Sequence, residues 1–169
     1  LLSVSLRQRG ELALPQTTAK SVELAVPMRS QMPLRGDLAS HVCSPTSVSM
    51  LLDFYKKKSD IYDIIGAAQH QPSALYGVWP ANIYAAVRHG LMGYLLHFPD
   101  WDTARHLLDN GLPIIASVRY KEGELNDAAI ARTRGHLVVV RGYAGDKVFV
   151  NDPAAKTDAE VARAYDLRE

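Results

Sequence analysis

The chain has 169 residues, 47% of them hydrophobic and 22% charged, with a formal net charge of +1. Such a composition belongs to a globular protein with one sizeable core, and one domain is the default. The near-neutral balance gives no electrostatic case for nucleic acid or an anionic membrane, which need clustered Lys and Arg, and no apolar stretch approaches the roughly 20 residues a spanning helix requires.

Residues 1 to 26 alternate weakly between apolar and polar types around Pro15, which predicts short strands or an extended arm. Residues 1–25 are therefore read as an arm, or the tail of a preceding β segment, and 26–169 as the main domain. The abrupt ends point to a fragment lacking a C-terminal part. Val26 to Pro33 is extended and punctuated by proline, and Arg35 to Ser40 reads as a loop. After Cys43, Ser44 suits a helix N-cap and Pro45 the first helical position, and Val48, Leu51, Leu52 and Tyr55 recur at helical spacing. Lys56 to Lys58 fits the end of that helix, where cations complement exposed carbonyls.

Two further helices are predicted over Asp60–Gln69 and Pro80–His89, the second stopped by Gly90. Leu91 to Phe98 reads as a strand, and Asp100 caps a helix through Leu108 that ends at Gly111. From Pro113 the character changes. Pro113–Tyr120, Gly135–Tyr143 and Lys147–Asn151 are apolar, β-branched runs separated by turn residues, which predicts sheet. The last residues, through Asp166 to Glu169, follow a helical pattern.

Cys43 is the one cysteine, so no internal disulfide is possible. Just outside a helix N-terminus it would meet unpaired backbone N–H groups and the positive end of the helix dipole, and both favour thiolate. A lone cysteine is more often a small buried hydrophobe, so other residues must support a nucleophile. His136 opens one strand and Asp152 follows another, joined through a turn at Ala144-Gly145-Asp146. A hairpin centred near residue 144 or 145 pairs positions whose numbers sum to about 288 to 290, bringing Asp152 opposite His136 within a residue or two. A carboxylate on one imidazole nitrogen leaves the other to take the thiol proton. Taken singly, His136 fits a sheet-end histidine and Asp152 a turn former. His41 is two residues from Cys43, but so close a neighbour in extended chain points elsewhere. Gln31 offers a side-chain amide that, with the nucleophile's own N–H, can hold an oxyanion.

These blocks, Val26-Pro27, Ser30-Gln31, Cys43-Ser44-Pro45-Thr46-Ser47-Val48-Ser49-Met50, Gly135 to Tyr143 and Val148 to Pro153, resemble the bacterial papain-like peptidases related to the double-glycine leader peptidases that process bacteriocin precursors. The likeness covers roughly residues 26 to 153. It implies an α+β papain-like fold, in which a helical half carrying Cys43 packs on an antiparallel sheet carrying His136 and Asp152, with Gln31 as oxyanion donor. It also implies a peptide or protein substrate, no cofactor, and bacterial origin with secretion. Relatives usually have Gly after the cysteine where Ser44 stands, and the leader peptidases proper are fused to membrane transporters, so double-glycine specificity is not carried over.

Groove walls are expected at Tyr76 to Trp79 and at the loop Lys121–Arg134, a lid or a disordered connection, with Ser44, Trp79 and Gly135 facing substrate. Trp79 also fits a core position, and better. The same triad would serve an amidase or acyl transferase. A papain-like binding module would instead bury an unreactive Cys43. No metal-ligand spacing is present.

Overall fold

The computed structural model describes residues 19–168. Four helices precede most of an antiparallel sheet: α1 (Cys43–Phe54), α2 (Ile61–Ala68), α3 (Trp79–Arg88) and α4 (Trp101–Asp109), then β2 (Ile114–Tyr120), β3 (Thr133–Ala144), β4 (Lys147–Asn151) and β5 (Ala162–Asp166). A short strand, β1 (Ser21–Glu23), comes first. The α+β architecture thus follows the expected division into a helical half and a sheet half. The weak alternation read over residues 1 to 26 lies mostly outside the described residues; its described end carries β1.

The long β3 organises the sheet. Along one edge β2 pairs with its first part, Ile114 opposite Val140, and β1 with its end, Ser21 opposite Ala144. Along the other edge runs β4, which in turn pairs with β5. Side chains alternate on a strand, and β3 uses both faces. Val138 and Val140 join Leu108, Val148, Val150 and Tyr165 in one apolar cluster, whereas Val139 packs with Met50 of α1, Val26, Ala155 and Val161 in another. A third cluster, with Val48, Leu52, Ile64, Ala68 and Ala85, joins α1, α2 and α3. Gly142 marks where β1 pairs most closely with β3, since a Cβ there would clash with the Val22 carbonyl oxygen.

Asp100 caps α4 by accepting from Thr103 N–H, and Gly90 and Gly111 follow α3 and α4 with positive φ, as expected; Asp60, read as the first residue of a helix, is instead the N-cap of α2 and accepts from Tyr62 N–H. Other expectations fail for identifiable reasons. Arg35 to Ser40 is not a plain loop, because Gly36–Ser40 winds into a short 3-10 helix. Residues 91–98 form no strand: they pair with no strand among the described residues, and Met92, Tyr94, Leu95 and Leu96 are exposed. The terminal segment is not helical. Ala162, Ala164 and Tyr165 pair along β4, and that partner overrides the local preference. No helix among the described residues is long and apolar enough to cross a membrane.

Candidate active site

Helix α1 begins two residues earlier than the sequence suggests. Val42 is its N-cap and Cys43 its first residue, which moves Ser44 to the second position and Pro45 to the third. The Ser44 hydroxyl therefore cannot cap the helix, and it makes no hydrogen bond of good geometry. Pro45 is tolerated because the first four N–H groups of a helix have no intrahelical partner in any case. Cys43 is half-buried at this positive helix end.

His136 and Asp152 are brought together by a one-residue irregularity. Near the turn, where Gly145 takes a positive φ of 55°, β3 and β4 pair with numbers summing to 291, as in Ala144 with Lys147. Past a bulge between Val140 and Gly142 the sum becomes 290, as in Val139 with Asn151. Extended by one residue, that register sets Asp152 opposite Val138, on the same side of the sheet as His136 two residues away. Without the bulge Asp152 would face Val139 and project from the opposite side. Instead His136 Nε2 lies 2.7 Å from Asp152 Oδ1, with both residues almost fully buried.

Each atom of the carboxylate is occupied. Oδ1 also accepts from the Ala154 backbone N–H at 2.9 Å, and Oδ2 accepts from the Tyr165 hydroxyl at 3.3 Å. Tyr165 lies on β5, just before the stretch Asp166–Glu169 read as helical, so its approach to Asp152 went unseen; the five residues Ala162–Asp166 carry no clear alternation of apolar and polar types that would have announced a strand. On the other side, Cys43 is close enough to His136 for each to shift the other's ionisation, and Ser47 Oγ donates to the Leu137 carbonyl, tying α1 to β3.

Burial pushes the Cys43 thiol up, but the His136 hydrogen bond and charge, the Leu137 backbone N–H and the nearby Ser44 hydroxyl outweigh it, and the net shift is downward. Burial likewise works against the charged imidazole. The Asp152 and Cys43 hydrogen bonds and charges prevail, raising His136 to about 9. Asp152 is lowered in spite of its burial by His136, the Ala154 N–H and Tyr165. All three shifts favour thiolate, imidazolium and carboxylate together.

Gln31 joins the two halves. Its backbone N–H donates to the Pro153 carbonyl at 2.8 Å, beside Asp152, and its Nε2 donates to the Ala39 carbonyl at 2.7 Å in the segment leading to Cys43. An amide nitrogen has two hydrogens, so among the described residues one donor has no partner. Ser44 is fully buried, whereas Gly135 beside His136 is exposed. Trp79 is 42% exposed at the start of α3 and is not a core residue, contrary to the better-fitting expectation. Gly77, in the same segment, passes beside Ser44 Oγ. His41 is exposed and is not bonded to Cys43. The loop before β3 is pinned, with Tyr120 Oη donating to the Ile130 carbonyl, Arg163 to the Asp127 carbonyl, and Leu125 packed on the core.

Residues 23–169 match the model of the Peptidase_C39 like family. The chain belongs to this family. Its papain-like α+β fold and its kind, that of cysteine peptidases, follow from that membership. No curated protein matches the chain. Among solved structures, a double glycine motif protease from an AMS/PCAT transporter, crystallised in complex with the leader peptide, is 16% identical over 88% of each chain, with a TM-score of 0.43.

Proposed function

We propose that this chain cleaves peptide bonds through a thioester acyl-enzyme, with Cys43 as nucleophile, His136 as base, Asp152 as orienting group and Gln31 as oxyanion donor. The observation that carries this reading is the 2.7 Å hydrogen bond between His136 and Asp152, with the lowered thiol of Cys43 beside that imidazole at the first turn of α1. An unreactive binding module would gain nothing from a half-buried thiol whose pKa is lowered by its neighbours.

In the acylation step the Cys43 thiolate attacks the scissile carbonyl carbon, forming the C–S bond as the carbonyl π pair moves to oxygen. The free Gln31 Nε2 hydrogen and the Cys43 backbone N–H receive that oxyanion. Protonated His136 gives its proton to the departing amine as the C–N bond breaks. Water, deprotonated by the now neutral His136, then attacks the thioester carbon and expels the thiolate, returning the proton to the imidazole. Asp152 holds the ring and stabilises imidazolium in both halves.

A peptide library derived from a bacterial proteome tests this. We expect cleavage, and on rapid acid quench a Cys43 adduct of the mass of an acyl fragment, with both lost in Cys43→Ala. Cleavage that survives the substitution, or its absence in the parent, would contradict the reading.

A further inference from the structure

We propose that the substrate carries acidic side chains within a few residues of the scissile bond, held by a cationic groove beside His136. This rests on the peptidase reading of Cys43. A groove of about 420 Å³ lies where the end of β2 meets the start of β3, lined by Tyr120, Lys121, Glu122, Arg132, Thr133 and Arg134. Three of those six carry positive charge and one negative. Lys121 Nζ lies 3.8 Å from Glu124, an exposed pair of little strength. Arg132 and Arg134 are exposed, and among the described residues no carboxylate lies within ion-pair distance of either. Elsewhere, partly exposed arginines such as Arg29 and Arg141 have found acidic partners. Two unpaired guanidiniums at one rim leave a local excess that suits a carboxylate, which Arg engages through two parallel hydrogen bonds.

Position links the groove to the chemistry. Arg134 precedes His136 by two residues of β3, a separation of roughly 7 Å along a strand. Between them Gly135 is exposed, with open space where a Cβ would be. A peptide backbone can pass over it from Cys43 into the groove. Tyr120 forms the floor and is fixed by its hydroxyl on the Ile130 carbonyl, so the rim is held by packed structure.

The test uses two alkylating peptides of equal length, chloroacetyl-Gly-Glu-Glu-Gly-amide and chloroacetyl-Gly-Lys-Lys-Gly-amide, on the parent and on the double variant Arg132→Gln/Arg134→Gln. The readout is the ratio of their Cys43 alkylation rates by mass spectrometry, which cancels the reactivity of the thiolate itself. We expect the acidic probe to react about tenfold faster at low salt. The ratio should fall toward one in the double variant, and in the parent at high ionic strength. Iodoacetamide on the parent and on His136→Ala separates the two readings. Fast alkylation dependent on His136, with equal peptide rates, overturns the acidic preference and leaves the peptidase reading standing. Slow alkylation that is the same in both proteins overturns the peptidase reading. An acidic preference that persists undiminished in the double variant also overturns the assignment to this groove.

Discussion

The two halves of the molecule contribute to the site by different physics. The helical half supplies one group, Cys43, placed by the start of α1 and favoured as thiolate by backbone dipoles that belong to any helix N-terminus. Its neighbouring Thr46 hydroxyl is buried with no hydrogen-bond partner among the described residues. The sheet half supplies His136, Asp152 and Tyr165 from three different strands or their ends, each side chain bonded to the next. A helix end tolerates a small shift, as the start of α1, displaced by two residues from the expected one, illustrates. A sheet does not, because one residue of register turns a side chain to the opposite face.

Changes in the sheet triad should accordingly cost more than changes around the helix. Asp152→Asn keeps the shape but removes the charge that fixes the imidazole, and we expect kcat/KM to fall by about 10⁴, the size found when an orienting aspartate is lost. Gln31→Ala removes a single oxyanion donor, for an expected loss of about 100-fold in kcat with little change in KM. Equal losses for the two would erase the distinction between the register-dependent and register-tolerant parts. Gly142→Ala forces a Cβ onto the Val22 carbonyl at the β1–β3 crossing. Chemical denaturation should show about 1–3 kcal/mol of destabilisation. Tyr165→Phe deletes one long hydrogen bond to Asp152 while keeping the packing, so kcat/KM should fall less than tenfold, about 1 kcal/mol. Its effect should vanish in the Asp152→Asn background, as a double-mutant cycle would reveal.

Legibility in the sequence follows the same division. Strong local signals made the helices readable: Asp100 as a cap, Gly90 and Gly111 as stops, and apolar residues at helical spacing. The central strands were readable from their β-branched runs. Where outcome depends on a distant partner, sequence was silent or misleading. Residues 162–166 become a strand because β4 offers an edge, whereas residues 91–98 pair with no strand among the described residues and stay irregular. The arithmetic that paired Asp152 with His136 was sound to within its stated two residues. The bulge at Arg141, which turns Asp152 to the correct side, leaves no mark that hairpin counting can read. Cys43, His136 and Asp152 were found as a combination, and Tyr165 was missed with its strand.

The central claim is a charged pair, thiolate on Cys43 and imidazolium on His136, each stabilised by the other. His136 is raised to about 9, so its proton is kept below that pH and lost above it, while the lowered Cys43 stays ionised well below the usual thiol range. The pair therefore exists between those limits. The most direct measurement is the pH dependence of iodoacetamide labelling at Cys43 in the parent and in His136→Ala. We expect labelling of the parent to persist well below the roughly 8.5 of a free thiol and the variant to lose that acid limb, its thiol then governed by burial. Slow labelling with one and the same pH profile in both proteins would contradict the pair and the mechanism built on it.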